Sequence, residues 1–225
     1  MSLRLFIVAV VTALFASAGL AGASTPSRVQ ELPLPYHGDA EQVITVVAPN
    51  AQSTTAKLTA WQRTPTGWLP EVGPVMAYVG KAGVGQASET TSKTPAGVWT
   101  LTEAFGNKPT NGAQLPYRQI DTSDWWVSDV KSPYYNAYQR CTPGTCPFNE
   151  AAGENLGNAG RAYDRAVVID YNRSAVVPGA GSAFFLHVSL DRATAGCVSM
   201  PADKLDSMLR WLRPGSHPVI DIGIA

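Results

Sequence analysis

A mainly β domain, made of two packed, partly mixed sheets with one helix near the C-terminus and long loops, is the fold class that these 225 residues predict. Three observations carry it. Short apolar runs rich in Val, Ile and aromatic residues recur along the chain between turn residues, as buried strands require. The 20 glycines and 17 prolines supply the turns. One apolar pattern with helical period and useful length occurs, close to the C-terminus.

Residues 1–23 (MSLRLFIVAVVTALFASAGLAGA) join one basic residue, Arg4, to an apolar run from Leu5 to Phe15 and small residues ending in Ala21-Gly22-Ala23. That is the layout of a secretory signal peptide, with cleavage expected after Ala23 and Ala18 as second choice. Ser17 and Gly19 break the run well short of the roughly 20 apolar residues a membrane span needs, so no integral span is expected after cleavage. No cysteine follows the apolar run to take a lipid. Removal of 1–23 leaves 202 residues, which suits one domain, and 16 basic against 17 acidic residues for a net charge of −1. Binding to nucleic acid through a basic face is thereby excluded.

Residues 24–41 are polar and proline-bearing, the composition of an exposed linker, and 42–225 form the domain proper. Gln42–Ala48 (QVITVVA) and Ala56–Thr64 (AKLTAWQRT) read as strands flanking a turn, with a second turn at Thr66-Gly67. The apolar run Val75–Val79 leads to GKAGVGQ, which lacks the spacing and the following helix of a phosphate loop and is read as a turn. Thr94-Pro95-Ala96-Gly97-Val98-Trp99 enters another strand. Residues 105–165 have no regular period; Trp125, Trp126, Tyr134, Tyr135 and Tyr138 supply enough apolar area to order them. Strands return at Ala166–Tyr171 and Ala183–Val188. Leu205, Met208, Leu209 and Leu212 then mark an amphipathic helix that Pro214-Gly215 stops, and Pro218–Ile224 closes the chain as a strand.

Three cysteines remain to be placed. Cys141 and Cys146 enclose the turn sequence TPGT, which brings their Cα atoms within disulfide reach, and such a ring is worth roughly 2 kcal/mol of loop-closure entropy. No further Cys or His lies close enough to make zinc ligands of them, and no metal site is expected. Cys197 is left over. It is either a small buried hydrophobe or a nucleophile. Thr194-Ala195-Gly196-Cys197-Val198 favours the second, since small residues before the sulfur leave backbone N–H groups free to meet a carbonyl oxygen. The helix beginning near Pro201 adds a positive end that favours a thiolate. His187, in the strand AFFLHV, shares a face with Phe185, and the short connection Ser189–Thr194 returns the chain so that Cys197 can come within about 3–4 Å of it as nucleophile and base. His37 and His217 are less well placed.

This strand-borne His187 followed by TAGCV, with TPAGVW far upstream, resembles the YkuD-type L,D-transpeptidases, in particular secreted actinobacterial members; the likeness runs over about residues 42–224, including SPYYN and VVIDYN. The resemblance implies a YkuD-like β-sandwich. It implies Cys197 as the acylated nucleophile, His187 as general base, backbone amides of Ala195, Gly196 and Cys197 as the oxyanion hole, and the Val188 carbonyl as the group that orients the imidazole. Thr194 and Ser199 fall at substrate-binding positions. Ala195 stands where the family often has His, Ser199 where it often has Arg or Asn, and Thr194 where Ser is usual. The reaction so implied is L,D-transpeptidation of peptidoglycan stem peptides through a thioester, with no cofactor, with carbapenems as inhibitors, in the periplasm or cell wall, by a monomer. An arginine for the substrate carboxylate is expected among Arg118, Arg161, Arg165, Arg173 and Arg192. Hydrolysis in place of transfer, and a catalytically inactive wall-binding domain, are the alternatives.

Overall fold

The computed structural model describes residues 29–225, so the signal-peptide reading of 1–23 lies outside the described residues. Among the described residues the chain is mainly β, with one α-helix, Ala202–Trp211, near the C-terminus. The two layers come from a single curled ten-stranded sheet, joined by a three-stranded and a two-stranded sheet.

Gln42–Ala48 lies at the heart of one half of the large sheet, between Thr55–Thr64, antiparallel to it, and Val219–Ile224, parallel to it. Its β-branched run needs that position: six of its seven residues are buried, which only a strand covered on both faces achieves. Thr55–Thr64 and Gly67–Tyr78 form a long hairpin through Pro65-Thr66. The other half of the sheet holds Val198–Met200, Phe185–Val188 and Ala166–Val168. Val198–Met200 runs parallel to Phe185–Val188 on one side and meets Gly67–Tyr78 on the other through Ser199 and Tyr78, so it is the seam between the halves.

The helix seals one face of this sheet. Leu205, Met208, Leu209 and Leu212 are fully buried in the main core with Ile44, Leu58 and Leu186, each contributing about 1.5–3 kcal/mol by leaving water. Pro201 precedes the first turn and Pro214-Gly215 follow the last, as the stop signals require.

The long irregular segment is ordered by aromatic packing. Phe185 sits at the centre of three edge-to-face contacts, to Phe105, Trp126 and Tyr163, with ring centroids 5.0, 5.1 and 5.5 Å away. Asn136 ties the two motif stretches together: its Nδ2 donates to the carbonyls of Tyr171 and Asn172, and its Oδ1 accepts from the Trp126 indole. Trp125, Trp126 and Tyr135 are buried as anticipated, whereas Tyr134 is exposed. Cys141 and Cys146 form a disulfide with Cα atoms 5.3 Å apart.

Residues 29–41 run along the domain. Gln30 exchanges backbone hydrogen bonds with Trp68, Leu34 is buried against Gly223, and Tyr36 packs edge-on against the Trp68 ring. Leu34 and Ala40 supply the apolar contacts that a polar composition hides.

Candidate active site

One cavity of about 490 Å³ opens at the seam, where the turn before Val198–Met200 meets the end of Phe185–Val188, and both Cys197 and His187 line it. Strand alternation puts Phe185 and His187 on one face, and the Tyr163 ring packs edge-on against both, at 5.5 Å from each.

His187 is 8% exposed, and its Nδ1 lies 2.9 Å from the Val188 carbonyl oxygen. A carbonyl can only accept, so Nδ1 carries the proton and the lone pair sits on Nε2. Burial lowers the imidazole pKa, against a smaller opposite effect of the Val188 carbonyl. Ser199 is the register partner of His187 across the parallel ladder. Its Oγ is buried, has no hydrogen-bond partner, and belongs to the cavity wall.

The turn that presents Cys197 is braced from both sides. Thr194 Oγ1 donates to the Cys197 carbonyl at 2.6 Å and accepts the Gly196 N–H at 3.1 Å. Thr94 Oγ1 donates to the Gly196 carbonyl at 2.7 Å and accepts the Gly80 N–H at 2.8 Å. Gly196 needs its missing side chain: at φ +153° a Cβ would stand 2.7 Å from the Phe184 ring. Two expectations change here. The Gly196 amide, expected in an oxyanion hole, is already engaged by Thr194, which leaves the N–H groups of Ala195 and Cys197 without partners among the described residues. The Thr194 hydroxyl, expected to meet substrate, is engaged within the turn although the residue does line the cavity.

The sulfur itself departs from expectation. Its polar contacts are the Phe185 N–H and the Ala183 carbonyl, both at 3.4 Å, and no hydrogen bond joins it to the His187 ring. The side chain therefore packs against the aromatic cluster. Instead of a thiolate eased by the helix end, burial pushes the Cys197 pKa up to about 12, and the Glu154 charge adds to that effect. Desolvation outweighs the helix terminus because the sulfur packs among Phe185, Trp126 and Tyr163. At neutral pH the site rests as thiol and neutral imidazole.

Of the five candidate arginines, Arg192 alone lines the cavity, at its exposed rim and outside every ion pair among the described residues. Arg173 pairs with Asp170 and Glu103, Arg165 approaches Asp206, and Arg118 stacks on Tyr138. Sequence reasoning missed Thr94, Glu154 and Tyr163. The TPAGVW match held the signal for Thr94; nothing in spacing or period singled out the other two.

Compared with known families, residues 54–220 match the model of the L,D-transpeptidase catalytic domain, YkuD. No curated protein and no solved structure matches the chain.

Proposed function

Since this chain belongs to the YkuD family of L,D-transpeptidase catalytic domains, which act on peptidoglycan peptides, we propose that it is an exported cysteine acyltransferase whose nucleophile is Cys197 and whose base is His187. The observation that carries the reading is the convergence, on one cavity, of a thiol, an imidazole with a free Nε2 lone pair, and two unpartnered amides beside the sulfur.

From the neutral resting pair, rotation about the Cys197 Cα–Cβ bond brings the sulfur to His187. The thiol proton passes to Nε2 as the sulfur attacks the carbonyl of the third stem-peptide residue, and the Ala195 and Cys197 amides receive the developing negative oxygen. Collapse returns that proton to the leaving D-alanine nitrogen and leaves a thioester. The amine of a neighbouring stem then attacks the thioester carbonyl, giving its proton to His187; the C–S bond breaks and the departing sulfur takes that proton back, which frees the cross-linked peptide. Ser199 Oγ, lacking a partner within the fold, takes a polar group of the donor peptide, and Arg192 takes its carboxylate. Thr94 and Thr194 hold the turn.

Export rests on the leader-like residues 1–23 and fits the Cys141–Cys146 disulfide, which an oxidising compartment preserves. The purified domain is tested with a tetrapeptide stem and, separately, with a carbapenem. Covalent adducts by intact mass, lost in Cys197→Ala, together with cross-linked dimers from the stem, are the expected result. Tripeptide as sole product would replace the amine by water as acceptor, and an unmodified wild-type chain overturns the proposal.

A further inference from the structure

We propose that Glu154 and Tyr163 are positioning residues for Cys197: the phenol hands its single O–H either to the carboxylate or to the sulfur, and the proton on Glu154 decides which. This rests on Cys197 being the reacting group of the site.

Glu154 comes from the two-residue strand Glu154–Asn155 and Tyr163 from the end of the 3-10 turn Gly160–Tyr163, and both line the cavity with Cys197. The Tyr163 hydroxyl donates to Glu154 Oε1 at 2.5 Å, and Cys197 packs against the same buried cluster as Tyr163 on the wall of the same cavity. Tyr163 is 4% exposed and its ring is held edge-on by Phe105, Phe185 and His187, so the hydroxyl cannot swing away. A buried phenol and carboxylate set beside a thiol are costly to assemble for packing alone.

One phenol has one proton to donate. With Glu154 ionised, that proton points at the carboxylate, the sulfur faces phenol lone pairs, and the thiol keeps its hydrogen. With Glu154 protonated, the acid donates to the phenol oxygen, and the phenol O–H turns to the sulfur, where it stabilises the thiolate formed as the thiol proton leaves for His187 Nε2. The two states differ by the one proton that the carboxylate takes up from solvent; the phenol keeps its own hydrogen in both. Burial raises the Glu154 pKa, which brings the exchange toward working pH. The titratable groups facing Glu154 are Tyr163 and, beyond it, Cys197; the adjacent strand Asp124–Trp126 presents Trp126 to it, and His187, Arg192 and Glu89 stand elsewhere on the cavity wall, the last hydrogen-bonded by Tyr135.

The test is the rate of Cys197 alkylation by iodoacetamide, followed by intact mass from pH 5 to 9, in the wild type, Glu154→Gln, Tyr163→Phe and the double variant. The glutamine amide mimics the protonated acid. Its rate should exceed the wild type by roughly tenfold or more at pH 9, the size of one hydrogen bond to a charged group, and the excess should shrink as pH falls. Any contribution from His187 cancels in that ratio. In the Tyr163→Phe background the ratio should fall to about one. A ratio of one throughout, or one that survives undiminished without the phenol, overturns the proposal, the latter by showing a direct field of Glu154 on the sulfur. If Glu154→Gln fails to fold by circular dichroism, Tyr163→Phe alone decides: about tenfold slower alkylation at pH 5 is expected, and an unchanged rate refutes it. Alkylation needs no peptide turnover, so the outcome stands apart from the carbapenem and stem-peptide assays that judge the acyltransferase reading.

Discussion

A thiol held near pKa 12 and an imidazole held below its ordinary value are both uncharged at pH 7, so reaction has to begin with proton transfer rather than from a ready thiolate. The general base is therefore indispensable: His187→Ala should slow carbapenem acylation by about 10²–10⁴-fold while leaving the circular dichroism spectrum unchanged, and Cys197→Ser should abolish it. The buried imidazole also has a stability signature. Its folded-state pKa lies below the unfolded value of 6.5, so the unfolded chain binds the proton more readily, and stability present above pH 6.5 is lost as pH falls through the folded value. Thermal melts should show the wild type losing ground to His187→Gln between pH 7 and 5; parallel curves would contradict the assignment. Thr94 gives a second residue-scale expectation. Thr94→Val strands the Gly80 N–H and the Gly196 carbonyl and should cost about 1–3 kcal/mol in a denaturant melt, with acylation falling further than stability, whereas Thr94→Ser keeps both bonds and both properties. Cys197 and His187 were legible in the sequence because a lone thiol after Ala-Gly and a histidine inside an apolar strand are rare enough to stand out. Glu154 and Tyr163 were not, because their meaning lies in a meeting of chain segments that carry no period.

At the scale of elements, legibility followed regularity. The strand Gln42–Ala48 and the helix Ala202–Trp211 were readable to within a residue, since each buries a side-chain pattern matched to its own repeat. The segment 105–165 resolves into strands of two or three residues and 3-10 turns that local propensity does not mark, held by Phe185 and Asn136 from within and without. This division predicts which changes touch chemistry. The ring closed by Cys141 and Cys146 contributes no residue to the cavity wall. Paired Cys141→Ser and Cys146→Ser should lower stability by roughly 2 kcal/mol, the loop-closure entropy of a short ring, and spare acylation. Arg140, joined to Asp121 and Asp124, continues to hold the neighbouring strand in that variant. A loss of acylation matching the loss of the disulfide would mean instead that this loop shapes the donor groove.

For the whole molecule, the decisive feature is that the last strand, Val219–Ile224, lies between Gln42–Ala48 and Gly97–Thr100, so the sheet cannot close until nearly the entire chain is in place. Asp221 sits in that closing strand opposite Thr45, 6% exposed, with Oδ2 unpartnered. Burial raises its pKa from 3.8 to about 6. Because the folded value is above the unfolded one, the stability linked to this carboxyl is complete below pH 3.8 and is lost as pH rises through 6. Asp221 and His187 thus pull the molecule's pH dependence in opposite directions, one penalising the ionised acid above pH 6 and the other the protonated ring below 6.5. Asp221→Asn keeps the shape and removes the charge. It should raise stability at pH 8 by about 1–2 kcal/mol after allowance for solvent screening, and leave it unchanged at pH 3.5, as read from denaturant midpoints at the two pH values. An equal gain at both would assign the effect to the amide's own hydrogen bonds, and a loss at pH 8 would show that the ionised carboxylate has found a partner within the fold.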